Sequence, residues 1–468
     1  RTARERLSAA GIPVSTPTAS KTNAVRVGTM HAMKGLEFRC IAAVGVDAET
    51  VPARSAVTAV DEDPTAHAND LQRERCLLFV ACTRDDEDNV MTCLLARKLG
   101  RKQTATGKPI QYTSIARQVS PTVGRHVADL ELPGVIVMRE TRRYYPNRAL
   151  GANFLGYVGT DNEGLGGLEA KFDSRIRGRN GRIFFMADGR QRAMGIREEQ
   201  PATPGDSIEL TIDETLQHIA DRELRAGVEQ YNAKAGMAIV MDPHTGEILA
   251  LSNYPTFNPN DFGSSTGYDR ANRAVQHVYE PGSTFKLITA AAAIEERVLK
   301  TTDMIDCAPG FIRIPGRGRP VYDVHPYGLL SFEDVIVKSS NVGAIKAVQQ
   351  IGIERMSIYV KRFGFGQVLS PDFSGQSGGI VWPADKLDQS GLASMSMGYQ
   401  VSVTPMQMAA AVSSIANGGT LYEPRMVRAF IGKGKREAVP AKVVRRTVSP
   451  ETAATLTGLM EQVVERGT

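Results

Sequence analysis

A turn that feeds straight into an apolar helical run constrains this chain more than any other feature. Pro281-Gly282 is a turn signal, and Ser283-Thr284-Phe285-Lys286 follows it directly, ahead of the apolar run Leu287 to Ile294. That order sets a helix N-terminus at Ser283. Residues three apart share a helix face, so the Lys286 amine is expected within reach of the Ser283 hydroxyl. A helix N-terminus is positively polarised and presents unpaired backbone N–H groups. One turn therefore combines a nucleophile, a base and part of an oxyanion site, which suits acyl transfer.

Ser-x-x-Lys alone recurs by chance in a chain of this length. A second polar triplet, Ser339-Ser340-Asn341, lies further on, between two segments with helical patterning. Taken alone, the triplet is an N-cap for the helix that starts at Val342. Taken with the first motif, it completes a reaction centre. Ser283 attacks a carbonyl, and Lys286 must be neutral to accept its proton. An unperturbed lysine is only about 0.04% neutral at pH 7, so the site has to lower its pKa by ~3 units through burial and neighbouring dipoles. Ser339 can relay a proton to the leaving amine, Asn341 can hold the substrate amide, and the Ser283 N–H is one oxyanion donor. No metal or cofactor is needed.

Three regions differ in character. Residues 1–105 alternate short apolar runs, such as Cys40 to Val46 and Cys76 to Ala81, with charged loops; the basic stretch Ala96 to Gly107 reads as a linker. Residues 106–204 hold short β-like segments separated by glycine turns and read as a small, loosely packed α+β module. Residues 205–468 hold helices and strands of ordinary length. Glu214 to Tyr231 has helical periodicity, and Ala238–Met241 and Ile248–Leu251 flank a hairpin at Pro243-His244-Thr245-Gly246. Further helices are expected over Ser331–Lys338, Val342–Gln350 and Met406–Ala416. Cys40, Cys76, Cys82 and Cys93 form no CxxC pair and read as small buried hydrophobes.

The net charge of +5 over 468 residues is mild and gives no footprint for nucleic acid. No apolar run approaches the ~20 residues that cross a bilayer. The first residue is Arg1, so the chain is expected to be a fragment that lacks a membrane anchor and signal peptide.

From Tyr112 onward the sequence resembles a class B penicillin-binding protein, a peptidoglycan D,D-transpeptidase. Arg143-Tyr144-Tyr145-Pro146, Gly156-Tyr157-Val158-Gly159 and Gly164-Leu165-Gly166-Gly167-Leu168-Glu169 are similar to that family's N-terminal pedestal, or dimerisation domain. Leu210-Thr211-Ile212-Asp213, the run Asp242 to Ala250 and Val403-Thr404-Pro405-Met406-Gln407 are similar to its transpeptidase domain. The resemblance implies Ser283 as acylated nucleophile, Lys286 as base, and Ser339 and Asn341 as the second motif. It implies a stem peptide ending in D-Ala-D-Ala as substrate, β-lactams as covalent inhibitors, membrane proteins of cell-wall synthesis as partners of the parent, and a membrane-anchored enzyme with an extracytoplasmic catalytic domain. The family's third motif, K-T-G, does not occur in this sequence. The chain is therefore expected to stop short of it and to acylate slowly.

The first hundred residues resemble something else. Val27 to Phe38 and Gln72 to Arg84 are similar to the last motifs of UvrD/Rep-like superfamily 1 DNA helicases, which implies nucleotide-proximal roles for Glu37 and Arg84. No G-x-x-x-x-G-K-[ST] loop exists to cradle phosphates, so neither ATP hydrolysis nor functional nucleic-acid binding is expected. The expected architecture is α+β and multidomain: a helicase α/β fragment, an extended α+β pedestal, then a penicillin-binding-protein transpeptidase fold with helices on an antiparallel sheet. The competing readings are a serine β-lactamase-like hydrolase and a non-catalytic fusion fragment. Trp382 and the pair Tyr144-Tyr145 are expected to pack in cores, and His277 and His325 to be surface or hydrogen-bonding residues without metal-like spacing.

Overall fold

The computed structural model describes residues 112–130, 135–187 and 193–467, together with the strands Val14–Ser15, Val25–Arg26 and Thr92–Arg97. Two units divide at Arg143/Tyr144. In the first, β1 (Thr92–Arg97) lies between β2 (Tyr112–Val119) and β3 (Val135–Arg139) in an antiparallel sheet, with Leu94 opposite both Ala116 and Val137. Helix α1 (Pro121–Asp129) starts on Ser120, whose hydroxyl accepts from the Val123 N–H, with proline in the first turn. Cys93 falls on β1; Cys40, Cys76, Cys82, Glu37 and Arg84 lie outside the described residues.

The second unit opens inside the segment, residues 106–204, that the sequence assigns to the pedestal. Loose packing was expected there. Instead Phe154 and Leu168 are 2% and 3% exposed and share an apolar cluster with Ile248, Leu251, Ala274, Val275, Met406 and Met426 of the following region. Glycine makes the approach possible: a Cβ on Gly156 would stand 1.8 Å from the Gly166 carbonyl oxygen. Of the tyrosine pair, Tyr145 is buried and its hydroxyl donates to Glu169, whereas Tyr144 is exposed. A hairpin follows, β4 (Arg182–Ala187) against β5 (Ala193–Gln200).

Next comes β6 (Ser207–Leu210), which pairs with a strand more than two hundred residues later. Helix α2 (Glu214–Gln230) lies on the hairpin of β7 (Gly236–Met241) and β8 (Ile248–Tyr254), where Leu251 faces Ile239. Buried Gln217 fastens them like an extra strand: its amide donates to the Leu251 carbonyl at 3.1 Å and accepts from the Leu251 N–H at 2.8 Å.

The rest is a helical body. Its centre is α3 (Lys286–Glu295), where Ala290 to Ala293 have no exposed surface, so neighbouring helices meet its backbone closely. Around it stand α4 (Phe332–Val337), α5 (Asn341–Ile351), α6 (Ile353–Arg362), α7 (Gln389–Ser396), α8 (Pro405–Ala416) and α9 (Pro450–Arg466). The core includes Phe285, Phe332, Phe363, Phe365, Met356 and Tyr359, all at most 1% exposed. Between α8 and α9 the strands β9 (Val427–Gly432) and β10 (Lys435–Ala438) form a three-stranded antiparallel sheet in the order β10-β9-β6. Buried Asp372 ties this sheet down by accepting from the Met426 and Val427 N–H groups.

Trp382 departs from expectation: it is 48% exposed. It follows the two-residue strand Ile380–Val381, which pairs with Val401–Ser402; Val381 packs on the core and Trp382 does not. His277 and His325 are both exposed. No helix among the described residues is long and apolar enough to cross a membrane.

Candidate active site

Ser283 lies in a 3-10 turn, Gly282–Phe285, that runs directly into α3. Phe285 is fully buried behind it, while Ser283 itself is exposed. The turn is pinned from below. Gly282 has φ +59° and donates its N–H to the Gly398 carbonyl at 3.1 Å. Gly398 has φ +77°, and a Cβ there would lie 2.1 Å from the Gly282 carbonyl oxygen. Only glycine tolerates both the left-handed backbone and that approach. Tyr279 and Val403 exchange two backbone hydrogen bonds at 3.0 and 2.9 Å, and Glu280 accepts from the Gln400 N–H at 2.8 Å. The turn that carries Ser283 is therefore held by the segment that follows α7.

One turn on, Lys286 is 2% exposed. Its Nζ donates to the Ser339 carbonyl at 2.5 Å, to Ser339 Oγ at 3.0 Å and to Asn341 Oδ1 at 2.8 Å. Burial pulls its pKa down to about 8, with the Asp323 carboxylate opposing the shift. Desolvation disfavours the ammonium, which is the direction a base requires. The sequence places the amine beside Ser283 Oγ, but no hydrogen bond joins the two atoms. An ammonium has three N–H donors, and acceptors of the second motif take all three.

The second motif sits at the junction of α4 and α5. Ser339 adopts φ +52°, an uncommon conformation for a residue with a side chain. Its carbonyl and hydroxyl both meet Lys286 Nζ. Ser340 is the N-cap of α5, accepting from the Gly343 N–H at 3.0 Å. The middle serine of the triplet thus caps the helix while its two neighbours meet the lysine.

Sequence reasoning missed Asp323. It follows the short strand Val321–Tyr322, which pairs with Phe311–Ile312. Its Oδ1 accepts from the backbone N–H groups of Asn341 and Val342, the latter at 3.0 Å, and its Oδ2 accepts from Ser340 Oγ at 2.8 Å. The neighbouring Tyr322 carbonyl accepts from Asn341 Nδ2 at 2.9 Å. No spacing rule links a loop aspartate to a helix 18 residues downstream; a lone aspartate after a short apolar pair carries no signal of its own.

An exposed hydroxyl at a helix start, a buried amine of depressed basicity and a second hydroxyl shared with an amide are side chains that can support acyl transfer. Comparison with known proteins gives the family. The penicillin binding protein transpeptidase domain matches residues 236–468, and the penicillin-binding protein dimerisation domain matches residues 53–210. The stage V sporulation protein D of Bacillus subtilis is 34% identical over 367 residues, 76% of this chain and 56% of the relative. The peptidoglycan D,D-transpeptidase FtsI of Escherichia coli K12 is 30% identical over 349 residues, 74% of this chain and 58% of the relative. The crystal structure of penicillin binding protein 3 from Mycobacterium tuberculosis complexed with aztreonam superposes with a TM-score of 0.61 at 30% identity, covering 72% of this chain and 71% of that one.

The chain belongs to the class B penicillin-binding proteins, with the family's dimerisation and transpeptidase domains. It spans just over half the length of the curated relatives it matches. The dimerisation match begins at residue 53, inside the segment that the sequence reading gave to a helicase fragment, and it includes the Arg84 motif. Neither the comparisons nor the described residues support that helicase assignment.

Proposed function

We propose that this chain carries the acyl-transfer centre of a serine-type peptidoglycan D,D-transpeptidase. One observation carries the reading: an amine with almost no solvent exposure and a pKa near 8 stands one turn after an exposed serine and is held by Ser339 and Asn341. The substrate is a stem peptide ending in D-Ala-D-Ala, and β-lactams acylate the same hydroxyl. Glu37 and Arg84 have no part in this reading, since the chain has no phosphate-cradling loop. The substrate polymer lies outside the cytoplasmic membrane, so the catalytic region works on that side, alongside the membrane proteins that build the wall.

The hydrogen-bond inventory suggests the order of events. Losing a proton leaves Lys286 two N–H donors for three acceptors. Of those acceptors only Ser339 Oγ carries a hydrogen of its own, so it can turn its O–H to the new lone pair. Ser283 Oγ adds to the carbonyl of the penultimate D-alanine and its proton passes to Lys286 Nζ. The peptide C–N bond breaks, and the leaving D-alanine amine takes a proton through Ser339, leaving an ester on Ser283. The amine of a second stem peptide then attacks the ester. Its proton returns to Ser283 Oγ through Lys286, and a new amide forms. The Ser283 N–H stands in the first helical turn, among amides without an intrahelical partner, and is placed to receive the oxyanion.

The test is intact-mass spectrometry after penicillin treatment, with peptide mapping. The adduct is expected on Ser283 and absent from S283A. An adduct that maps elsewhere, or that survives in S283A, overturns the assignment. Nitrocefin should give a single burst; sustained turnover would mark a hydrolase instead.

A further inference from the structure

We propose that Asp323 is the positioning residue of this centre: it seats the second motif against Lys286 and supplies the counter-charge to the ammonium. The geometry is that of a clamp. One carboxylate oxygen takes the Asn341 and Val342 N–H groups, two of the orphan donors at the start of α5. The other takes the Ser340 hydroxyl. Ser340 Oγ in turn accepts from the Gly343 N–H, and Cys307 Sγ lies 3.6 Å from it. The residue before the clamp, Tyr322, fixes the Asn341 amide through its carbonyl, which orients Oδ1 towards Lys286. Both residues that touch the amine, Ser339 and Asn341, therefore flank or belong to the peptide units that Asp323 holds. Bonds from a carboxylate to backbone N–H are charge-assisted and stronger than neutral ones.

The charged groups of the neighbouring helices are engaged elsewhere or face solvent. Helix α7 carries none. On α5, Lys346 donates to the Asp306 carbonyl. Beyond α4, Lys338 lies 6.0 Å over the Tyr327 ring, and Glu333 and Asp334 pair with Arg466 of α9. On α6, Arg355 pairs with Glu296, Arg362 stacks on Tyr359, and Glu354 and Lys361 are exposed. Glu295, at the far end of α3, is taken by Ser449; Glu451, Glu461 and Glu465 of α9 are exposed. Glu280 is taken by the Gln400 N–H, and Arg317 donates to Ser394 on α7.

This deepens the acyl-transfer reading, and its first test does not depend on that reading. The Lys286 titration is followed by the 13Cε lysine resonance, assigned with K286R, in wild type and in D323N. The amide of D323N keeps an acceptor for the α5 N–H groups, so the fold survives while the charge is lost. Lys286 should titrate at least about half a unit lower in D323N, about a threefold rise in its neutral fraction at pH 7. Coincident titrations overturn the counter-charge. The second test is β-lactam acylation. D323N should acylate within about threefold of wild type above pH 9, where the amine is neutral in both, while D323A should lose at least about tenfold at every pH. Wild-type acylation by D323A overturns the seating role. If wild type itself is not acylated, the acyl-transfer reading fails, and the titration still decides the role of Asp323.

Discussion

Lys286 has little contact with water, and its chemistry follows from that. With a pKa of about 8, roughly a tenth of the molecules carry a neutral amine at pH 7. Acylation by a β-lactam should therefore rise about tenfold per pH unit below 8 and level off above it; a flat profile between pH 6 and 9 would mean that another group takes the proton. Stability moves the same way. Between about 8 and the ordinary lysine value of 10.5 the unfolded chain binds more protons than the folded one, so this group favours folding increasingly as pH rises through that window. Ser283, Lys286, Ser339 and Asn341 were legible in the sequence because their spacing places them on helix starts. Asp323 was not, because only the hairpin's return across α5 brings it there. Nor was the choice of partner for the amine, which depends on the left-handed turn at Ser339.

At the scale of elements, capping and periodicity told most of the story. Helices α2, α4, α5 and α8 lie within a residue or two of their expected positions, because Asp213, Ser331, Ser340 and Thr404 each cap a helix through a side-chain oxygen; the β7–β8 hairpin forms where expected, with β8 running three residues further, to Tyr254. Thr404 and Gln407 form a reciprocal capping box, and Gln407 also donates to the Gln367 and Gly378 carbonyls. What local sequence did not reveal is the contact between the nucleophile's turn and the segment after α7. There we expect G398A to lower stability by about 1–3 kcal/mol through backbone strain alone, with a larger loss of acylation because the clash falls on Gly282. Thermal unfolding and acylation rates measured together would check this; wild-type acylation in a destabilised protein would show that the turn relaxes without moving Ser283.

At the scale of the whole molecule, Phe154 and Leu168 share one apolar cluster with residues from beyond the boundary expected near residue 204. The stretch is rich in glycine, which reads as loose packing but here lets two backbones approach closely. Phe154 stands in the shared cluster. F154A should therefore cost about 3–5 kcal/mol in denaturant unfolding. Acylation by the fraction that remains folded should be unchanged, since the cluster lies apart from Lys286. A loss below about 1 kcal/mol would mean that the segment docks after folding rather than as part of it.

The glycine pair beneath the nucleophile also limits how this protein can evolve. Because Gly398 has no room for any side chain, mutation there cannot nudge the hydroxyl by small degrees. Variation that retunes which carbonyl the serine attacks, or that evades a drug aimed at it, has to act from the flanking hairpin and from the strands around Trp382 and Tyr399, where substitutions have solvent to expand into.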